Sequence, residues 1–199
     1  FTMLEWYRAD EPYEEVIADC LALIALAADT TQTRTFAFRG RSADPFADAE
    51  WLTVAEAFQR AAGIDLLATI DGSEGKRQAL AAAARGKVRL ADDDTWSDIF
   101  SKILVEHVEP QLGQGKPTVL YEYPAPESAL ARTKPSDPRV SERFEIYACG
   151  VELANGFGEL TDAREQRRRF ELAMDDKERL YGERYPLDED FLAALAAMP

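Results

Sequence analysis

Three glutamates, Glu145, Glu152 and Glu159, recur at intervals of seven within the stretch from Arg143 to Asp162. Their neighbours Phe144, Ile146, Tyr147, Val151 and Phe157 are apolar or aromatic and favour strands. An ionised carboxylate in such surroundings needs a cation or several hydrogen-bond donors. Two carboxylates held close together must share a proton or a cation. Glu145 and Glu152 flank Ala148-Cys149-Gly150, a tight connection that would set them on neighbouring strands of a hairpin. Their hard oxygens suit Mg²⁺, which keeps several waters and takes one or two carboxylates plus phosphates. Glu159 follows Gly156 and Gly158, small residues that let a ligand approach the backbone, and a lone carboxylate there suits an ammonium group. Spacing alone leaves a second reading equally open, in which all three are acids on solvated strand faces.

The elements that must position these acids follow from periodicity. Phe1 to Tyr7 alternates like a strand. Glu11 to Ala28 carries Val16, Ile17, Cys20, Leu21 and Ile24 at helical spacing, with Pro12 in the first turn. Thr30 to Arg41 reads as a loop with a short strand at Thr35 to Phe38. Residues 44–91 read as a helical insertion, with helices at Leu52 to Ala62 and Ser73 to Arg85 broken by Gly63 and Asp71-Gly72. Thr95 caps a helix with the apolar face Trp96, Ile99, Phe100, Ile103 and Leu104, ended by Pro110 and Gly113. Pro117 to Tyr123 alternates as a strand with Val119, Tyr121 and Tyr123 on one side. Arg143 to Tyr147 and Val151 to Phe157 complete the hairpin. Asp162 with Glu165 caps a helix from Ala163 to about Tyr181, and a last helix starts at Asp188. Strands, a helical insert, strands and then helices predict an α+β fold with an antiparallel sheet flanked by helices.

Composition sets the outer limits. The 199 residues are 46% hydrophobic, enough for a core, and carry a net charge of −14, which repels phosphate backbones over most of the surface. No apolar run approaches the roughly 18 residues of a membrane span, and the N-terminus lacks the basic-then-apolar order of a secretory leader. Two cysteines, Cys20 and Cys149, are too few for a disulfide framework, so a cytoplasmic location is expected. Cys20 reads as core, and Cys149 has no neighbouring base to make it a nucleophile. His107, the only histidine, falls near a helix end. Arg167-Arg168-Arg169 is balanced by flanking acids and reads as a solvated face. Tyr121, Tyr123 and Phe144 read as sheet core.

Phe1-Thr2-Met3-Leu4-Glu5-Trp6-Tyr7-Arg8, Tyr121-Glu122-Tyr123-Pro124, Arg143-Phe144-Glu145 and the run from Glu152 to Asp162 together resemble the catalytic domain of class II lysyl-tRNA synthetases. Leu4-Glu5-Trp6-Tyr7-Arg8 and Glu152-Leu153-Ala154-Asn155-Gly156-Phe157 are closer to the short paralogous family of elongation factor P–(R)-β-lysine ligases. The resemblance implies an antiparallel sheet flanked by helices, a homodimer, and ATP-dependent activation of lysine or β-lysine to an aminoacyl-adenylate that passes to an acceptor. It implies that Glu145 and Glu152 hold the Mg²⁺–ATP complex, and that Leu153 touches the nucleotide through its backbone. It also implies that Glu159 and Tyr7 take the side-chain ammonium, with Glu5 and Asn155 around the rest of the amino acid. The Pro124-Ala125-Pro126 turn would shape the pocket wall.

The pattern also departs from that family. The three class II signature motifs, two of which bring an arginine to the phosphates, are absent from these residues, and Gly158 stands where some ligases have histidine. Both ends read as the interior of a longer protein, and these residues alone are expected not to form the adenylate. Three functions compete: transfer of lysine or β-lysine to a lysine of elongation factor P, aminoacylation of tRNA, and a synthetase-like binding module without catalysis.

Overall fold

A computed structural model describes residues 2–198. Its centre is a four-stranded sheet in the order β3 (Glu50–Thr53), β6 (Thr118–Pro124), β7 (Val140–Ala148), β8 (Val151–Phe157). β3 runs parallel to β6, whereas β6–β7 and β7–β8 are antiparallel. Two short hairpins lie outside it: β1 (Phe36–Phe38) with β2 (Arg41–Ala43), and β4 (Ile70–Asp71) with β5 (Glu74–Gly75). The fold is α+β, as the order of elements predicts.

Helices cover both faces. α1 (Tyr13–Thr30) buries Tyr13, Ile17 and Cys20 against Val119, Phe144 and Ile146. On the other face α2 (Val54–Ala62), α3 (Arg77–Ala84) and α4 (Trp96–Ile103) enclose Phe58, Leu80, Ile99 and Phe100 with Leu120, Tyr123 and Tyr147. Thr53 and Thr95 each close a reciprocal capping box, with Glu56 and Asp98, which fixes where α2 and α4 begin. Residues 44–91, expected to form a helical insertion, supply β3 of the main sheet as well as α2, α3 and the β4–β5 hairpin. α4 continues through a π-helical turn (Leu104–Val108), where His107 Nε2 meets the Lys87 carbonyl at 2.9 Å, and a 3₁₀ turn (Glu109–Gln111).

Several local expectations are corrected. Residues 2–7 form no strand, and Phe1 lies outside the described residues. Alternation alone cannot make a strand without a neighbour for its backbone, and none of the described strands pairs there. Val119 and Tyr121 do face α1, but Tyr123 turns to the opposite core, because the β6–β7 register slips between Tyr121 and Tyr123 where Glu122 takes φ 56°. The hairpin turn is two residues rather than three: Cys149 and Gly150 sit at φ 56° and 72°, the mirror-image turn geometry that matches strand twist.

α5 (Ala163–Tyr181) is capped by the Asp162 side chain, which accepts from the Arg164 and Glu165 amides. The Glu165 side chain does not reach back; it pairs with Arg168 and Arg169. Arg169 is not on a solvated face. It donates to the Ser128 and Ala131 carbonyls and the Thr133 hydroxyl, fastening α5 to the loop before β7. Asp175 pairs with Arg184. α6 (Glu189–Leu195) is capped by Asp188. Among the described residues no helix is long and apolar enough to cross a membrane.

Candidate active site

The β7–β8 hairpin positions Glu145 and Glu152, and Glu159 follows just after it. Pairing sets Glu145 opposite Asn155 and Tyr147 opposite Glu152, with a slip between Ile146 and Tyr147 that absorbs Leu153. Because alternate residues of a strand share a face, Arg143, Glu145 and Tyr147 point the same way, and Glu152 and Asn155 point with them. The seven-residue interval between Glu145 and Glu152 therefore does bring two carboxylates to one side of the sheet.

Glu145 is 6% exposed and fully engaged. Arg143 Nη2 donates to its Oε1 at 2.8 Å, and the Tyr147 hydroxyl donates to its Oε2 at 2.6 Å. Burial first, and then the charge of Glu145, pushes the Tyr147 phenol far above the ordinary range, so it remains a donor. Glu152 is exposed and accepts from Asn155 Nδ2 at 3.0 Å; Leu153 is exposed beside it. Glu109, at the start of the 3₁₀ turn, has its carboxyl raised by burial and then by Glu145 and Glu152, so all three acids bear on one region.

This donor set fits a hard divalent ion that brings oxygens of its own. Among the described residues no group of three or more His, Cys, Asp or Glu side chains could hold a metal by itself. Two carboxylates on one face, one of them fixed by two donors, are of the kind that can share a hard divalent ion with ligand oxygens.

The opposite end of β8 is a cavity of about 730 Å³ between its free edge, α1 and residues 3–12. Glu5, Tyr7, Asn155 and Glu159 all line it. The segment is tied to α1 through Asp19, which accepts from Arg8 Nε at 2.6 Å, Arg8 Nη2 at 2.9 Å and Trp6 Nε1 at 3.2 Å. That tether suspends the Tyr7 ring, 66% exposed, over β8, with its hydroxyl donating to Glu5 at 2.9 Å. Burial, followed by the charge of Glu5, raises the Glu159 carboxyl above the ordinary glutamate value. The Tyr7 phenol is raised chiefly by its hydrogen bond to Glu5 and, last, by the charge of Glu159. Ion pairs among the described residues leave Glu5 and Glu159 without a cation. A cavity lined by such acids and a phenol is suited to an ammonium.

The glycines have distinct reasons. A Cβ on Gly156 would stand 2.7 Å from Phe144 Cε1, whose ring covers the bare backbone opposite. A Cβ on Gly158 would overlap Glu142 Oε2, the atom that accepts both Nε and Nη2 of Arg132. Arg132 also lines the cavity. The Pro124–Pro126 turn is not part of the cavity lining; it leads instead to Glu127, whose carbonyl accepts from Arg143 Nη1 at 2.6 Å.

Of the residues singled out from sequence, Glu5, Tyr7, Asn155 and Glu159 line one cavity, while Glu152 and Leu153 sit nearer the hairpin turn and Glu145 lies across from Asn155. Sequence reasoning passed over Arg143, Tyr147, Arg132 and the Arg8–Asp19 tether. The first two were within reach, since they stand two residues either side of Glu145 and must share its face.

A profile described as tRNA synthetases class II (D, K and N) matches residues 1–198. The elongation factor P–(R)-β-lysine ligases of two Haemophilus influenzae strains are each 38% identical over 201 aligned residues, covering 100% of this chain and 55% of theirs. The ligase of Salmonella paratyphi B is likewise 38% identical, covering 99% of this chain and 55% of its own. The chain thus spans about half the length of the curated relatives it matches.

Proposed function

Since the chain belongs to the class II tRNA synthetase family of the D, K and N type, we propose that it is the substrate-binding part of an ATP-dependent ligase. The ligase would activate lysine or β-lysine as the aminoacyl-adenylate and pass it to a lysine of elongation factor P. The observation that carries this reading is the cavity in which Glu5 and Glu159, beside Tyr7, form no ion pair among the described residues. An ammonium-bearing side chain supplies the cation, and an apolar analogue would leave these groups unpaired. The 38% identity to elongation factor P ligases supports the protein acceptor.

In this reading Glu159 and Tyr7 take the side-chain ammonium, and Glu5 and Asn155 orient the rest of the amino acid. Asn155 also bonds Glu152, so it couples the amino-acid end of β8 to the nucleotide end. Glu145 and Glu152 hold the metal that accompanies ATP, and the exposed backbone at Leu153 meets the nucleotide. Bound there, Mg²⁺ would offset phosphate charge; the chain's own residues orient and bind. The full-length protein is read as a cytoplasmic homodimer.

A second reading, lysyl-tRNA synthetase, is favoured by the breadth of the matching family. Offering the full-length protein radiolabelled lysine or β-lysine with ATP, and both elongation factor P and tRNA, separates the two. Label on elongation factor P alone is the expected result; label on tRNA alone overturns the protein-acceptor reading.

A further inference from the structure

Arg143 is held at three points. Its Nη1 donates to the Glu127 carbonyl at 2.6 Å, its Nη2 donates to Glu145 at 2.8 Å, and its guanidinium lies over the Tyr123 ring at 4.3 Å from the centroid. The Tyr123 hydroxyl is buried among the same groups and has no hydrogen-bond partner among the described residues. The planar fork makes this possible: one face stacks on the ring while two edges donate in fixed directions. A lysine ammonium could neutralise Glu145 but could not stack and donate along both edges at once.

The consequence falls on Glu145. Arg143 takes Oε1 and Tyr147 takes Oε2, so the carboxylate cannot rotate without breaking a charged hydrogen bond. A carboxylate offers about four lone-pair sites, and these two donors leave about two for a metal. Partners of this kind, standing behind a metal-binding side chain, commonly set metal affinity within a factor of about 10–100.

We propose that Arg143 is the positioning residue of the nucleotide-and-metal end, fixing Glu145 against the Glu127 carbonyl and the Tyr123 ring so that its remaining lone pairs stand ready for the cation. The proposal rests on the reading of Glu145 and Glu152 as the metal-binding pair. A mere charge partner would act differently: it would stabilise Glu145 from any direction, and lysine would replace it fully.

The test is calorimetric titration of Mg²⁺–ATP into the full-length protein carrying Arg143→Lys, Arg143→Gln or Glu145→Gln, with lysine titrated separately. A dissociation constant reports only on molecules that fold, so partial misfolding lowers the stoichiometry and leaves the constant readable. Arg143→Lys and Arg143→Gln are both expected to weaken Mg²⁺–ATP about 10–100-fold and to leave lysine affinity within about twofold. Full affinity in Arg143→Lys overturns the positioning role, as does an equal loss for lysine. Should Glu145→Gln weaken Mg²⁺–ATP while the Arg143 variants do not, only the role of Arg143 falls. Should Glu145→Gln itself bind Mg²⁺–ATP normally, the underlying assignment of the metal-binding pair falls with it.

Discussion

On β7, across from Asn155, Glu145 is almost wholly buried and is met by a guanidinium and a phenol. Just past the end of β8, Glu159 is half-buried, lies near Glu5, and has neither a cation nor a hydrogen-bond donor among the described residues. The first acid has its charge answered inside the fold, so a monovalent ligand gains little by approaching it; a doubly charged ion still does. The second bears an unanswered desolvation cost that an incoming ammonium would remove. One carboxylate is thus answered inside the fold and the other is not, a contrast that under the proposed assignment would sort a divalent metal from an organic cation.

The largest effect that sharpens this contrast is expected from Glu159→Gln. Losing a charged hydrogen bond to a buried ammonium weakens lysine by about 10–100-fold, with Mg²⁺–ATP binding unchanged in calorimetry. A lysine constant within threefold of the parent would dissolve the distinction between the two acids.

Next in size is Tyr147→Phe, which strips one of the two donors from Glu145. Urea denaturation should register a loss of about 1–3 kcal/mol, the cost of leaving a buried charge short of a partner. A variant as stable as the parent would mean that Glu145 does not depend on its prepared surroundings.

Gly158→Ala is expected to cost no more than about 1 kcal/mol, because the added methyl pushes aside the flexible end of Glu142 and loosens its pair with the half-exposed Arg132. Circular-dichroism melts check the stability, and retention of the parental melting temperature would show that the wall beside Glu159 is loose.

The smallest effect is the pH dependence. Folded Glu159 keeps its proton at a pH where the unfolded chain has released it, because its carboxyl is raised by burial and by Glu5. The folded state therefore binds more protons in that interval, and stability falls as pH rises through it. At neutral pH Glu159→Gln should melt slightly higher than the parent. Lysine affinity should fall as pH drops through the same raised value, and the variant should lose that slope. An unchanged slope would assign the titration to another group.

Much of this was legible in the chain. Helical spacing located α2, spacing with the Thr95 cap located α4, alternation located β6, and the hairpin signal located β7 and β8. The cavity residues Glu5, Tyr7, Asn155 and Glu159 were legible through family resemblance, since nothing in local spacing links position 5 to position 159. What escaped depended on partners distant in the chain or on backbone geometry. Residues 2–7 alternate as a strand does, yet their anchor is Asp19 on α1. Arg169 sits in a run of three arginines, and only the folded loop at Ser128 to Thr133 distinguishes it from its neighbours. Glu122 adopts a left-handed backbone that glutamate rarely takes, so composition carries no sign of it.

That single left-handed residue works as a parity switch. Before it, odd-numbered positions of β6 feed the layer under α1; after it, Tyr123 joins Leu120 in the layer under α2 and α4. Tyr123 could not lie beneath Arg143 if the alternation ran on unbroken. Natural variation in this strand should therefore tolerate changes of residue type far better than changes of length. One inserted or deleted residue between Tyr121 and Tyr123 would send the tyrosine into the wrong layer and leave the guanidinium without its platform.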